Sequence, residues 1–519
     1  MNGKLKLFVL LTAIFFAGLA LRMIVVDFKS MQFDEYYHIA EAQSVLDGQK
    51  GALFRDGYNQ PYTRGPIVTI TTIITGYIFG NFEPWIILPT AIVSSFVSIA
   101  LFFYLKKYNT ATAITAAVAW LFSPLAIAMG SYIREYSFFL LFNTVWSLYF
   151  IRQLDIETPI NFSKLKVSNK LIALTLIPIV YFLFDFNSTF PNISVIYIGY
   201  FISIIIFKYK DVNNYIKFLL SFLLINIPFS VMGFGLNFIG KDSMTVLPHF
   251  NKRFFEYIFS GSPIFANYIQ EELRFFITFS FLVLVLIGIL TSIRSKSIEI
   301  KSILFVFIAY IVFYGLYFNR YFEERYYIYI IPWIILLIAI GLNELFSIIR
   351  LWLYKFIKST KAYNLIYSLF YSCFIILIFG GFYFVGDLNI RENVTRQKKY
   401  HTALLKDYTV LLDLPITIDQ DTAIITPNEH IILWLYSQDE EFGKFVQFNN
   451  NNMYYFYFEV NELSLNNIYA VERHTKGYFI VEKVFDLHDL KSIDSLSGKE
   501  ICKKYEDDEF IVVAWGDCS

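Results

Sequence analysis

The stretch 30-SMQFDEYYHIAEAQSVLDGQ-49 follows a hydrophobic run, Leu7–Val26. That run is long enough to cross a bilayer, because about 20 apolar residues in a helix span the hydrocarbon core. The acid pair Asp34-Glu35 then opens a segment with the composition of a short helix, which ends near Gly48. The sequence therefore places two carboxylates just outside its first predicted membrane crossing. Charged groups near a membrane are costly, so their position there points to a function.

The composition of the whole chain agrees with a membrane protein. Of 519 residues, 56% are apolar, 20% are aromatic and only 17% are charged. The apolar residues come in runs of about 20, separated by clusters of Lys and Arg, which is typical of a polytopic helical protein. The 43 basic and 43 acidic residues balance, which argues against a general nucleic-acid binder.

We predict about eleven transmembrane helices from these runs. They are Leu7–Val26, Trp85–Leu105, Ala111–Gly130, Tyr136–Ile151, Leu171–Phe184, Phe190–Phe207, Tyr215–Phe234, Phe275–Ile293, Ser302–Phe318, Tyr326–Ile349 and Leu365–Val385.

Basic residues set the predicted orientation, because cytoplasmic connections carry an excess of Lys and Arg. Basic clusters occur in alternate connections, which predicts a cytoplasmic N-terminus and an extracytoplasmic C-terminus in a plasma (inner) membrane. Counting Pro66–Phe79 as a span would break this alternation, so we predict an interfacial helix there. The basic clusters are Lys4 and Lys6, Lys106-Lys107, Lys164 to Lys170, Lys208 and Lys210, Arg294 to Lys301, and Arg350 to Lys361.

The chain is predicted to have two domains. Residues 1–385 form the transmembrane domain, whose first extracytoplasmic loop, residues 27–84, carries two interfacial helices. Residues 386–519 are richer in charge and contain strand-like runs such as "TAIITP", "IILWLYS", "FVQF" and "FIVVAW", which predict a soluble α/β or α+β domain. Cys502 and Cys518 lie in this domain, as a disulfide or as two free thiols.

Ionisable residues group at the predicted outer ends of the spans. A carboxylate near arginines suits removal of a proton from a hydroxyl while cations receive an anionic leaving group. A lipid-linked phosphate at the outer leaflet would be such a leaving group, and arginines from several helices could clamp it. The residues in question are Asp34, Glu35, His38, Glu41, Arg55, Asp56, Arg64, Arg134, Glu135, Asp185, Arg320, Glu323, Glu324 and Arg325, with Lys241, Asp242, His249, Lys252 and Arg253 between them.

Four motifs in this order resemble the GT-C glycosyltransferases, in particular the protein O-mannosyltransferases and the lipid A aminoarabinose transferases. They are "FDEYYHIAEAQSVLDGQ", "YTRGPIVTI", "SYIREYSFFLLF" and "RYYIYIIP". The resemblance covers roughly residues 7–345 and does not extend to the C-terminal domain.

The resemblance implies an inverting transfer of a sugar from a polyprenyl- or dolichyl-phosphate donor to a hydroxyl acceptor on a protein, lipid or cell-surface glycan, with membrane lipids as further partners. Asp34, with Glu35 beside it, would be catalytic and act as the base on the acceptor hydroxyl. The remaining implied roles are donor-phosphate binding by Arg64, Arg134 and Arg325, and shaping of the site by His38, Tyr62, Glu135 and Tyr326.

The chain departs from the family pattern at three points. The run "IILPTA", where only Pro89 fits, lacks the arginine commonly found at the start of the second span. Thr63 stands where the relatives have an acid or a histidine-type residue, and Gly65-Pro66 replaces a double proline. These departures weaken the argument for a metal bridging two acids, so no metal ligand is assigned, and the sequence leaves dependence on a divalent cation open.

Simpler interpretations of the same residues stay open. Asp34 could cap the following helix, His38 with Glu41 could form a solvated face or ligate a metal, and Arg64 could reach lipid headgroups. Arg134-Glu135 and Glu324-Arg325 could be local ion pairs. For the whole chain, a transporter or lipid flippase is the alternative function, although no internal repeat is visible; a sensor or scaffold leaves the first-loop acids without a role.

Overall fold

The computed structural model describes the chain in segments. The predicted domain boundary near Gly386 lies outside the residues that the structure describes. So do most residues of the predicted spans Leu171–Phe184 and Leu365–Val385. The described residues are 3–24, 38, 42, 66–79, 85–106, 108–151, 160–162, 165–167, 176, 179–180, 183–184, 186–207, 212–231, 250–260, 271–317, 324–356, 365–366, 368–369, 371–372, 422–426, 453–455, 474–482, 500–506, 510–516 and 518.

Helices dominate the described part of the chain. Two segments are π-helical, Trp146–Ile151 and Phe313–Tyr317. Two more are 3-10 helices, Trp85–Ile87 and Glu324–Ile330. The α-helices are α1 Gly3–Ile24, α2 Ile67–Phe79, α3 Leu88–Lys106, α4 Thr110–Phe122, α5 Pro124–Gly130, α6 Glu135–Val145, α7 Phe186–Phe207, α8 Val212–Val231, α9 Lys252–Phe259, α10 Glu271–Arg294, α11 Ile298–Val312 and α12 Ile331–Phe356.

Several of these helices could cross a membrane. Four helical stretches among the described residues are long and apolar enough: Leu5–Met23, Trp85–Lys106, Ile298–Leu316 and Tyr326–Leu351. The bent pair α4–α5 would make a fifth. The chain is therefore a multi-pass helical membrane protein, while the count of eleven spans stays a prediction. The helix predicted at Pro66–Phe79 is present as α2.

The predicted span Ala111–Gly130 is two helices that meet at 61° rather than one straight helix. Pro124 causes the break, because the residue before a proline is disfavoured in helical conformation and Ser123 is extended. Ser123 ends α4 and caps α5, whose Ala126 N–H donates to the Ser123 Oγ over 3.4 Å. The bend turns α5 away from the axis of α4 and so positions the residues that follow α5.

Glycines bring two pairs of helices into backbone contact. A Cβ atom on Gly288 of α10 would lie 2.1 Å from the Leu337 carbonyl oxygen of α12, and one on Gly341 would lie 2.1 Å from that of Leu284. A Cβ on Gly199 of α7 would likewise lie 2.6 Å from the Val306 Cα of α11. Small residues at helix interfaces are how membrane helices pack closely without a hydrophobic driving force.

The described residues fall into two compact units. The first comprises those within 1–26, 63–67 and 87–397, and thus most of the helices. It also holds a short antiparallel pair, β1 Ile160–Phe162 and β2 Leu165–Val167. The second comprises those within 27–62, 68–86 and 398–519.

The second unit contains a five-stranded mixed sheet, ordered β4-β3-β5-β7-β6. The strand β3 pairs in parallel with β4 and β5, while β7 pairs antiparallel with β5 and β6. Cys502 and Cys518 form a disulfide with their Cα atoms 5.6 Å apart, so the disulfide alternative is the one observed. The strands are β3 Thr422–Thr426, β4 Met453–Tyr455, β5 Lys476–Glu482, β6 Ile501–Glu506 and β7 Phe510–Trp515.

Candidate functional site

The structure describes only some of the predicted site residues. Asp34, Glu35, Tyr62 and Arg64 lie outside the described residues, and their roles stay predictions. Arg325 is described through its backbone alone, as part of the 3-10 segment Glu324–Ile330. The predicted site residues whose side chains the structure describes are His38, Arg134, Glu135 and Tyr326.

The short connection from α5 to α6 carries Arg134 and Glu135. Ser131 ends α5 by donating its N–H to the carbonyls of Ile127 and Ala128. Arg134 is extended, with φ −146° and ψ 165°, and Glu135 begins α6. An acid therefore stands at the first position of α6, the end of a helix where acidic residues are preferred.

Arg134 and Glu135 form a buried ion pair. The Arg134 Nε lies 3.1 Å from the Glu135 Oε2, and the two side chains are only 5% and 1% exposed. The local ion pair that the sequence left open is therefore present. Removing one partner of such a pair is costly, because the other charge stays buried without compensation.

A cluster of tyrosine rings, centred on Tyr136, lies beside this ion pair. The Arg134 guanidinium carbon lies 5.6 Å from the Tyr136 ring centroid, within range of a cation–π contact. The Tyr136 ring packs against those of Tyr132 at 6.0 Å, Tyr326 at 6.1 Å and Tyr329 at 6.3 Å. The fold thus brings Tyr326, from a segment far away in sequence, to the same Tyr136 ring that Arg134 contacts.

The segment that carries Arg325 and Tyr326 is held by α9. The Phe254 and Tyr257 rings of α9 pack on the Tyr327 ring, with centroids 5.0 and 5.9 Å apart. At the start of α9, Asn251 donates its backbone N–H to Gly315 O and its Nδ2 to Tyr314 O, over 2.8 and 3.2 Å. These carbonyls belong to the π-helical end of α11, so Asn251 joins α9 to the neighbouring transmembrane helix.

His38 lies in the second unit, where it is helical and fully buried. Its Nδ1 lies 3.1 Å from the Thr69 Oγ1 of α2. Ala42, four residues further on, is also buried, as expected for one face of a helix. His38 is therefore not part of a solvated face, and its role in shaping the site stays a prediction.

Arg22 is a buried charged residue that was not among the predicted site residues. This residue lies within the predicted span Leu7–Val26 and is fully buried in the first unit. Its Nε donates to the Ser94 Oγ over 2.7 Å and its Nη1 donates to Gly18 O over 3.0 Å. The signal was available, because an ionisable residue inside a membrane span is expensive and usually functional.

Within the described residues, no three His, Cys, Asp or Glu side chains lie close enough to share a metal ion.

Comparison with known proteins identifies the fold. No protein-family model matches the chain, and no curated protein sequence matches it. Solved structures do match. ArnT from Cupriavidus metallidurans in the apo state superposes with a TM-score of 0.61 at 9% identity, covering 99% of this chain and 98% of that one. ArnT bound to undecaprenyl phosphate gives a TM-score of 0.59 at 10% identity, covering 98% of each chain.

The archaeal oligosaccharyltransferase AglB from Archaeoglobus fulgidus, in complex with an inhibitory peptide and a dolichol-phosphate, matches with a TM-score of 0.54 at 10% identity. The match covers 95% of this chain and 71% of AglB. ArnT, a lipid A aminoarabinose transferase, and AglB are both GT-C superfamily members. The resemblance predicted from the motifs is thus confirmed, and the chain has the GT-C fold.

Proposed function

We propose that this chain is a membrane glycosyltransferase that moves a sugar from a polyprenyl-phosphate donor to a hydroxyl acceptor. The observation that carries the proposal is the buried Arg134–Glu135 pair, set beside a tyrosine cluster that includes part of the segment of Arg325. Two structures of the same fold were solved with undecaprenyl phosphate and with a dolichol-phosphate. These neighbours support a polyprenyl-phosphate donor for this chain.

In the proposed reaction, Asp34 removes the proton from the acceptor hydroxyl. The acceptor oxygen attacks C1 of the sugar, the bond from C1 to the phosphate oxygen breaks, and its electron pair leaves with the phosphate. The configuration at C1 is inverted. Asp34 has to be ionised to act as a base, and the arginines proposed to bind the phosphate would favour its ionised form.

The phosphate gains one negative charge during this step, because a phosphodiester becomes a phosphomonoester. Cations close to it therefore stabilise the transition state more than the bound donor, which is the condition for raising the rate. Arg64 and Arg325 are the proposed contacts, since a guanidinium binds phosphate oxygens with two parallel hydrogen bonds.

The proposed role of Arg134 in donor binding differs from that of Arg64 and Arg325, because Arg134 already has a carboxylate partner. Glu135 neutralises the Arg134 charge before the donor arrives, so the empty site does not bury an isolated cation. The donor phosphate then shares Arg134 with Glu135. Through the Tyr136–Tyr326 contact, this pair also orients the backbone that presents Arg325.

The proposed site faces the extracytoplasmic side. The alternation of basic clusters supports this orientation. The Cys502–Cys518 disulfide supports it independently, because disulfides persist in oxidising compartments. With the N-terminus in the cytoplasm of a plasma membrane, Asp34 and the C-terminal strands would both lie outside.

One observation favours a transporter as a second candidate. The span formed by α4 and α5 is broken by 61°, and discontinuous helices are common around transporter substrate sites. A transporter would move the lipid-linked sugar without cleaving its C1–phosphate bond, so product analysis separates the two functions.

The decisive experiment supplies purified protein with radiolabelled polyprenyl-phosphate sugars and a membrane extract. Asp34→Asn removes the proposed base, and Asp211→Asn, in a predicted cytoplasmic connection, is the matched control. We expect transfer by the wild type and the control, and near-complete loss in a normally folded Asp34→Asn protein. Equal transfer by all three would remove Asp34 from the mechanism, and absence of any transfer would refute the proposed function.

A further inference from the structure

Arg22 has no part in the reaction proposed above, yet it is fully buried. Its two hydrogen bonds run in different directions, one back along α1 to Gly18 O and one across to the Ser94 Oγ of α3. A planar guanidinium can hold two such acceptors in fixed directions, whereas a lysine ammonium on a flexible stem cannot.

Ser94 connects Arg22 to both halves of the broken span. Its Oγ lies 3.3 Å from the Ala126 carbonyl of α5, and its own carbonyl accepts from the Trp120 Nε1 of α4 over 2.8 Å. The position of α5 relative to α4 is therefore tied, through one serine, to the Arg22 side chain.

Arg22 also contacts the end of α5 directly. A Cβ atom on Gly130 would lie 2.5 Å from the Arg22 Nε and 2.7 Å from its Cδ. Gly130 is the last residue of α5. Its neighbour Met129 accepts a hydrogen bond at its carbonyl from the Ser137 Oγ of α6 over 2.8 Å. The Arg22 side chain thus packs against the end of α5 from which the short connection with Arg134 and Glu135 begins.

We propose that Arg22 is a positioning residue that fixes the bend between α4 and α5 and so sets the place of the Arg134–Glu135 pair. The inference rests on the proposed function, because it assigns Arg22 to the donor-phosphate end of that site. Removing Arg22 should move the pair without unfolding the protein. A displacement of about 1 Å in a positioned group costs on the order of 10²-fold in rate.

The test uses the full-length protein and the transfer assay described above. We expect Arg22→Met to lower kcat/KM by on the order of 10²-fold, with Arg22→Lys giving only partial rescue. Gly130→Ala should act in the same direction, because the added methyl group displaces the Arg22 side chain while leaving its charge in place. Arg294→Met, at an exposed arginine ending α10, is the matched control and should leave kcat/KM unchanged.

A double-mutant cycle separates positioning from general packing. If Arg22 acts through Arg134, the Arg22→Met/Arg134→Met protein should be no worse than Arg134→Met alone. Losses that multiply in folded proteins would overturn the proposal.

Hydrogen–deuterium exchange gives a readout that does not need transfer. We expect the amides of residues 131–137 to exchange faster in Arg22→Met than in the wild type or in Arg294→Met. Unchanged exchange there would overturn the role of Arg22 even if Asp34→Asn abolishes transfer. Absence of transfer by the wild type would instead remove the proposed function, so the two failures are distinguishable.

Discussion

Replacing Glu135 with glutamine tests how the Arg134 charge is balanced. Glutamine keeps the shape of the side chain but removes its charge, which leaves the Arg134 guanidinium buried beside the Tyr136 ring without its carboxylate. At the observed separation of 3.1 Å, the lost attraction is about 5 kcal/mol for an effective dielectric constant of about 20. Breaking buried ion pairs by removing one partner costs about 3–5 kcal/mol, so we expect Glu135→Gln to lower stability by that amount.

A phosphate that shares Arg134 should offset this loss. Undecaprenyl phosphate at a hundred times its dissociation constant stabilises a protein by about 2.7 kcal/mol. In Glu135→Gln the phosphate also takes the place of the missing carboxylate beside Arg134. It is no longer repelled by the Glu135 charge. The stabilisation by undecaprenyl phosphate should therefore be larger in the variant than in the wild type.

The assay is unfolding of purified protein in lipid nanodiscs, with and without undecaprenyl phosphate. Undecaprenol has the same isoprenoid chain without the phosphate and should give no such difference. Glu344→Gln, at an exposed position of α12, is the matched control. Equal stabilisation of the wild type and Glu135→Gln by undecaprenyl phosphate would refute sharing of Arg134 between the carboxylate and the donor.

Three further predictions concern the scaffold and are measured by unfolding of the purified protein. Gly288→Ala places a methyl group 2.1 Å from the Leu337 oxygen and should lower the free energy of unfolding by about 1–3 kcal/mol. Val312→Ile, which adds a carbon at a 42% exposed side chain, is the control and should leave stability unchanged. Equal effects of the two changes would contradict the close contact between α10 and α12. Cys518→Ser opens a disulfide with a sequence separation of 16 and should lower the stability of the C-terminal strands by about 3 kcal/mol, visible as faster proteolysis there; protection as in the wild type would argue against that disulfide. Thr69→Val removes the hydroxyl that meets buried His38 and should cost about 1–3 kcal/mol, and no recovery in Thr69→Ser would argue against the hydrogen bond.

The sequence predicts the class of fold because hydrophobic runs and basic clusters are local signals. The helices ending at Lys106 and Phe207 follow those runs closely. A bend inside a run is less visible, because averaging over the window Ala111–Gly130 hides the effect of Pro124. Contacts such as those of Gly288 depend on how distant helices cross, and no local pattern specifies that crossing.

The candidate site was predictable where charge itself was the signal. Arg134 and Glu135 stood out because both lie at the end of an apolar run. Arg22 escaped notice because a single charge barely lowers the mean hydropathy of its long run. The tyrosines that cluster beside Arg134 come from two segments in a chain with 38 tyrosines, so their meeting could only be seen in three dimensions.

The close contact between α10 and α12 limits how the long isoprenoid chain of the proposed donor could reach the proposed site. The backbone of Gly288 lies against Leu337 and that of Gly341 against Leu284, so at these two contacts no side chain lies between the helices that could rotate aside to admit a lipid tail. Such a tail has a width of several methyl groups, and a gap for it would require the two helices to separate along their length. The proposed lipid donor would therefore have to enter from the bilayer between other helices.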